Sequence, residues 1–552
     1  MTDLTADVAG PDSNPTAVDT VSETVIATAM RHTRYRRDQL ELTADLEGEL
    51  GIDSVVLISI IGDVAEELGL PSNLTSDISV TTLGALIAEL EPYAVAASAD
   101  ASATAAEQEP ELAIGEVDPI GPAGVTEWDG RSMRDFLVRS DRDLFAKTAD
   151  FAVHRREREA EHLYWYGMPL RSRCANRATI YDEITGRTRE FLMFGSNNYL
   201  GLANHPDVID AVCAATRTYG ATNTGCRIIG GTSHLHKELE QRLATFKGRE
   251  DAIVYPGGYA ANLGAISALV GKNDAVVLDK FNHMSIVDGW KLSGGLRRIY
   301  RHNDMAHLEE VVAGCAEQAR GMLIVTDGVF SMHGDICRLP EILRLARRYG
   351  ARVLVDDAHA TGVLGARGTG TAEHFGLKSE VDLELGTMSK ALAGMGGFVV
   401  GDKEVIEYLR FYSNSYVFAA TIPAGVAAGL IAAIDLVERE PERITTLWNN
   451  IRTLTACLTD VGFDLERSSS AIVPIVVGDE RKAMEMGRAV RARGLFCQTV
   501  VFPGVALGAA RLRISVTSEH TPEDLALAVQ ILIDAGLETK VLTACAPKSA
   551  QR

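Results

Sequence analysis

The sequence predicts a large α/β body built on a mainly parallel sheet, a smaller C-terminal α/β domain behind it, and a small acidic helical bundle in front. Three observations lead there. Charge divides the chain: up to Gly130, 25 acidic residues face four arginines and no lysine, while the rest carries 50 acids and 50 bases, so the first segment holds the whole net charge of −21. Beyond Arg131, short apolar β-branched runs alternate with helical stretches, the mark of crossover units whose sheet is covered on both faces. Ahead of them, apolar residues fall three and four apart, the helical period. With 552 residues, 46% hydrophobic and 23% charged, the chain can fill more than one buried core, which excludes a disordered or fibrous protein.

Taken in order, residues 1–20 read as a disordered leader without the basic start or apolar core of a signal peptide. Residues 21–90 read as a helical domain, with segments at Glu23–Arg34, Ser54–Leu68 and Thr81–Leu90. Residues 91–130 turn to Ala, Ser, Glu, Pro and Gly and read as a flexible linker, spanning roughly 35 Å as a free coil. The large domain follows over 131–430, with strands expected at Ala252–Tyr255, Ala275–Leu278, Leu323–Thr326, Val353–Val355, Leu383–Leu385 and Phe398–Val400. A small domain occupies 431–545, with strands near Ala471–Val477 and Leu512–Val516. The most membrane-like run, Val417–Val437, contains Thr421, Pro423 and Asp435 and is rich in alanine, so a packed internal helix is expected and no membrane span. Eight cysteines stand singly from Cys174 to Cys545, which suggests neither a disulfide framework nor a zinc site and fits a reducing cytoplasm. The acidic balance argues against nucleic acid as partner.

Chemistry concentrates in three stretches. VDLELGTMSK carries a strand into a Gly-Thr turn and then Lys390, a lysine placed to form a Schiff base with an aldehyde cofactor. RVLVDDAH ends an apolar strand in Asp356, where a carboxylate can hold a pyridinium nitrogen, with His359 three residues on. VYPGGYAAN is a strand, two glycines and a helix start, so the N–H groups of Gly258 and Tyr259 can cradle a phosphate. Each alone has an ordinary reading: a solvated lysine, a capping Asp, a plain turn. In sheets of this kind the ends of the strands gather the site, which favours the joint reading. His234 and His236 form an H-x-H without a third ligand and read as structural, and no metal is expected.

These stretches, with LDKFNH around His283 and TDGVFSMHGD around Ser331, stand in the order and spacing of one group of enzymes. Residues 131–542 resemble the α-oxoamine synthases, pyridoxal 5′-phosphate enzymes of fold type I that include serine palmitoyltransferase and 5-aminolevulinate synthase. The resemblance implies a homodimer in which Lys390 holds the cofactor and Asp356 meets its ring nitrogen. It further implies that His359 and Ser331 lie at the phenolic oxygen, His283 stacks on the ring and Thr387 reaches the phosphate. Asn197 and Tyr199 of SNNYLGL would line the substrate side, and Arg513 of RLRISVTSEH would receive the amino-acid carboxylate, a task suited to its bidentate fork. Asp327 stands where the family often has Glu, and Cys226 where Thr, Ser or Pro is usual. In Phe418–Pro423, Thr421 is the residue left to reach the phosphate held by the partner subunit.

ELGIDSVVLISIIGDVAEELGL opens an amphipathic helix at Asp53-Ser54. With the later helix it resembles an acyl carrier protein, in which this serine, Ser54, carries 4′-phosphopantetheine attached by a phosphopantetheinyl transferase and charged by an acyl-loading enzyme. The joint implication is a decarboxylative condensation of glycine, alanine or serine with an acyl thioester on the chain's own carrier, giving an α-aminoketone in secondary metabolism. An acyl-coenzyme-A-dependent synthase and a fold type I aminotransferase are the alternatives within enzymes; outside catalysis, the alternative is a docking scaffold.

Overall fold

The computed structural model describes residues 17–33, 35–46, 50, 52, 54–68, 70, 80–103, 113–118, 129–137 and 142–543. The leader up to residue 16, Asp53 and the side chain of Ser54 lie outside what is described. The chain divides into two compact units, Met1–Glu111 and Leu112–Arg552.

In the first unit, helices Ala17–Thr33, Ser54–Leu68 and Leu83–Ala103 enclose one core. Val21, Val25 and Ala29 lie one turn apart on the first helix and meet Ile60, Ile61 and Val64 of the second and Leu83, Leu86 and Leu90 of the third. The third helix runs through Pro92 to Ala103, so part of the expected coil is helical. Its alanine-rich tail favours that state, because alanine loses no side-chain freedom on forming a helix. Residues 113–118, also within the expected linker, belong to the second unit. There the Gly115 N–H donates to the Arg493 carbonyl, the Asp118 N–H donates to the Ala492 carbonyl, and the Asp118 carboxylate pairs with Arg187 at 3.2 Å.

The second unit contains strands β1 Arg177–Asp182, β2 Arg187–Met193, β3 Asp251–Tyr255, β4 Ala275–Asp279, β5 Leu296–Tyr300, β6 Met322–Asp327, β7 Arg352–Asp356, β8 Leu383–Thr387, β9 Gly397–Gly401, β10 Ile472–Gly478, β11 Leu495–Phe496, β12 Gln498–Val500 and β13 Ala510–Ser515. Seven form the main sheet in the order β3-β9-β8-β7-β6-β4-β5. Its pairs are parallel from β8 to β5, and β9 runs antiparallel to both its neighbours. Alternate residues feed opposite cores, which is why the strands read as unbroken apolar runs. Ala275, Val277, Val353 and Val355 join helices Met305–Ala316 and Leu339–Tyr349, while Val276, Leu278 and Leu354 join helix Gly258–Leu269. The edge strand β5, LRRIY, is half exposed and so escapes an apolar-run criterion.

A three-stranded sheet, β10-β13-β12, builds the small domain around the two expected strands. The hairpin β1–β2 joins β11 in a second small sheet, so residues 177–193, expected in the large domain, pair with the C-terminal segment. That pairing is non-local, and nothing near the hairpin in sequence announces it. Residues 417–437 are not a span: helix Ala424–Arg439 packs on helix Pro206–Tyr219 so closely that a side chain at Gly425 or Gly429 would strike Thr216 or Val212. Among the described residues, no helix is long and apolar enough to cross a membrane.

Candidate active site

The parallel strands converge with their carboxyl ends on one cleft of about 180 Å³. Gly258 and Tyr259 open the helix after β3, and His283 caps helix Met284–Ser293 after β4. Asp327 ends β6, Asp356 ends β7, and Thr387 ends β8 just before Lys390. All of these line the cleft, together with Asn262, Ser285, Ala358, His359 and Ser389.

Asp356 is buried and held on both oxygens: Oδ1 accepts the Ala358 N–H at 2.9 Å and Oδ2 accepts from Asn262 Nδ2 at 2.7 Å. Burial raises its pKa, against the Asn262 bond and the nearby His283 and Lys390. Asp327 lies beside it in register; burial and then the Asp356 charge push its carboxyl well above the usual range. Asp327 Oδ2 accepts from Asn282 Nδ2 and from the His283 N–H. Lys390 is pushed down to about 8, first by burial, with Asp356 opposing and Arg513 adding to the fall. Burial, Lys390 and Arg513 hold His359 well below its ordinary pKa, which leaves a neutral imidazole.

His359 Nδ1 meets the Tyr199 hydroxyl at 2.7 Å, and Tyr199 reaches Asn197 Oδ1 at 3.2 Å. Arg513 sets its Nε on the Ser331 carbonyl at 2.6 Å and directs its two Nη atoms at Asn197 Oδ1 at 3.4 and 3.3 Å. Thus Asn197, Tyr199, Ser331 and Arg513 join the cleft through His359. Thr421 is not brought there within this chain: its Oγ1 lies 3.2 Å from His236 Nε2 and its N–H donates to Gly225. Cys226 bridges Ala420 in the same place. His236 is buried and caps its helix through Ser233, as expected of a structural histidine. Asn262, Ser285 and Ser389 were not singled out from sequence. Asn262 lies one helical turn after Gly258 and so shares its face, which is the signal that points to it.

Behind the cleft, Asp357 faces away from Asp356. It meets Lys247 Nζ at 2.7 Å, and Lys247 also reaches Glu384 at 2.8 Å and the Thr369 carbonyl at 2.5 Å, with all three side chains fully buried. A side chain at Gly370, whose φ is +112°, would strike Asp357. On the far side of β4, His302 is clamped between Asp279 at 2.9 Å and Asp335 at 2.8 Å.

The donor set suits pyridoxal phosphate. Asp356 offers a carboxylate that could meet a ring nitrogen, Lys390 an amine that could meet an aldehyde, and the N–H groups of Gly258 and Tyr259 with the hydroxyls of Thr387 and Ser389 could hold a phosphate. The backbone is drawn in so tightly at this end that a Cβ on Gly397 would lie 2.6 Å from the Gly257 carbonyl oxygen.

The family model for class I and II aminotransferases matches residues 189–532. The 4-hydroxy-2,2′-bipyrrole-5-methanol synthase PigH of Serratia sp. is 54% identical over 92% of this chain and 80% of its own length. The chain belongs to the α-oxoamine synthases within the class I and II aminotransferase family. It is a pyridoxal-phosphate-dependent acyltransferase. The 8-amino-7-oxononanoate synthase of Symbiobacterium thermophilum is 45% identical over 63% of this chain and 89% of its own. The serine palmitoyltransferase of Sphingomonas wittichii superposes with a TM-score of 0.69 at 34% identity, covering 73% of this chain and all of its own, and so shares the fold type I architecture. The PigH match takes in more residues than the second unit holds, so it extends into the first.

Proposed function

We propose that this synthase condenses serine, alanine or glycine with an acyl thioester carried on its own N-terminal unit, with loss of carbon dioxide, to give an α-aminoketone in secondary metabolism. The observation that carries the reading is the convergence of Lys390, Asp356, His283 and His359 on one cleft beside Arg513. Pyridoxal phosphate supplies an electron sink for the α-carbon of the amino acid. The remaining work belongs to side chains. Lys390 Nζ would hold the cofactor aldehyde, and as an amine whose pKa burial lowers to about 8 it can carry a proton to and from the α-carbon. Asp356 would accept the ring N–H, His359 with Ser331 beside it would hold the phenolic oxygen, and His283 would stack on the ring. The Arg513 fork exchanges its long contacts with Asn197 for the substrate carboxylate, with Tyr199 closing that wall. A carbon–carbon bond forms at the acyl carbonyl while the arm leaves as a free thiol and the carboxylate leaves as carbon dioxide.

The arm is 4′-phosphopantetheine on Ser54, at the start of helix Ser54–Leu68. The helical core of the first unit and the extent of the PigH match support a carrier there, and tethering raises the local concentration of the thioester. The hydroxymethyl group in the name of PigH's product favours serine among the three amino acids, because the serine side chain leaves that group on the α-carbon. A homodimer, with Thr421 reaching the phosphate held by the partner subunit, completes the proposal. The test is intact mass after coexpression with a phosphopantetheinyl transferase, then Ser54→Ala supplied only with acyl-coenzyme A. Loss of the added mass and of carrier-dependent product in Ser54→Ala is expected. Product at parental rates from acyl-coenzyme A alone would favour the coenzyme-A-dependent reading.

A further inference from the structure

His283 is fixed by its own helix. As the cap of Met284–Ser293, its Nδ1 accepts the Ser285 backbone N–H at 3.2 Å. A backbone N–H can only donate, and at 3.2 Å it biases Nδ1 toward presenting its lone pair without fixing it alone. The Ser285 hydroxyl lies on the same Nδ1 at 2.7 Å. That hydroxyl in turn accepts from Asn262 Nδ2 at 2.9 Å, so its single proton is free to point at Nδ1. The second Nδ2 proton of Asn262 goes to Asp356 Oδ2 at 2.7 Å. A flipped amide would set the Asn262 oxygen against a carboxylate oxygen, which fixes its orientation. Both Asn262 and Ser285 are 1% exposed, so their side chains are shielded from bulk solvent.

We infer that Asn262 and Ser285 are positioning residues that lock His283 in the neutral form with its proton on Nε2, facing the cleft, and tie that lock to the carboxylate of Asp356. One short relay thereby sets two groups that would meet the cofactor separately: a hydrogen-bond donor at His283 Nε2 and an acceptor at Asp356. Charging the imidazole would put a proton on Nδ1, against the amide of a helix N-terminus. Burial in the cleft walls and the neighbouring Lys390 oppose that charge as well, while Asp356 favours it. The inference deepens the proposed function and, for its Asp356 half, rests on that reading.

The tautomer half is tested without cofactor. In the full chain labelled with 15N-histidine, the His283 signal, assigned by its loss in His283→Gln, is expected to show Nε2 protonated and Nδ1 bare. Ser285→Ala should raise the Nδ1-protonated share at least severalfold, and Ser285→Thr, which keeps the hydroxyl, should restore the parental signal. A parental His283 protonated on Nδ1, or an Ala variant with an unchanged signal, overturns the lock. The Asp356 half uses the affinity of the stripped enzyme for pyridoxal phosphate against its 1-deaza analogue, which has carbon in place of the ring nitrogen. The parent should prefer the natural cofactor, and Asn262→Ala should shrink that preference about ten- to a hundredfold, the scale of one charge-assisted hydrogen bond. An undiminished preference in Asn262→Ala overturns the tie. A parent with no preference overturns the Asp356 reading itself, leaving the tautomer result to stand or fall alone.

Discussion

Lys390 is a nucleophile only as the free amine, so its environment sets the pH at which the stripped enzyme captures its cofactor. Burial takes it from an ordinary value of 10.5 to about 8. At about pH 7.5 that frees roughly a quarter of the amine, against roughly one part in a thousand for an exposed lysine, a gain of about 200-fold in reactive form. The perturbation is pH, and the assay is the rate at which cofactor-free enzyme takes up pyridoxal phosphate in a form that borohydride fixes to the chain. The rate should rise with pH and reach half its plateau near pH 8. The charges leave a second signature. Arg513 lowers the value, so Arg513→Met should move the midpoint up; Asp356 raises it, so Asp356→Asn should move it down. A parental midpoint above about pH 9.5, or one that ignores both substitutions, refutes the reasoning, and persistent fixation in Lys390→Ala refutes the choice of lysine.

Three further outcomes concern the surroundings of the cleft. Lys247→Met strips the buried cation that pairs with Asp357 and leaves Glu384 with Arg249 alone, 3.8 Å away, which should cost about 3–5 kcal/mol. For a cooperative unit of roughly 400 residues this is a fall of about 4–6 °C in the melting midpoint, partly recovered by adding Asp357→Asn; no fall would contradict it. His302 resists the cost of burial through Asp279 and Asp335 and is raised to about 9. A folded value above the unfolded 6.5 means stability present in full below that pH and lost as pH climbs through 9. The melting gap between parent and His302→Gln should therefore be widest near pH 6 and close by about pH 10, and a flat gap would count against the ion cluster. Gly370→Ala combines a left-handed backbone with a collision at Asp357 and should cost about 2 kcal/mol or more by the same melt.

Much of the site was legible because its residues sit at strand ends, where a run of apolar letters stops at a polar one. Asp356 after RVLV and Lys390 after VDLELGTMS are readable in this way. What escaped has a physical cause. Asn262 lies inside a helix and looks like any polar helical residue until the turn is wound, and Ser285 acts through a neighbour two residues away. The alternation of the buried strands was legible, whereas β5 at the sheet edge and the pairing of β2 with β11 were not. Edges lack an apolar run, and pairings across 300 residues leave no local trace. The helix through Pro92 is hidden in the sequence because its Ala- and Ser-rich composition resembles a coil while its alanines favour a helix.

Asp356 and Asp357 carry the same letter and share one peptide bond, yet the pleat turns them to opposite sides of the sheet. One is turned toward the cleft, the other is sealed with Lys247 and Glu384. The doublet is thus a place where selection acts on two unlike traits through adjacent codons. On the proposed reading, replacing the first carboxylate by its amide should leave a sound protein with impaired chemistry, and replacing the second should leave the chemistry in a weakened protein. A library scored for abundance alone would mark Asp357 and pass over Asp356, whereas one scored for turnover per folded molecule would do the reverse. A one-residue slip in aligning this strand would therefore exchange a catalytic record for a structural one.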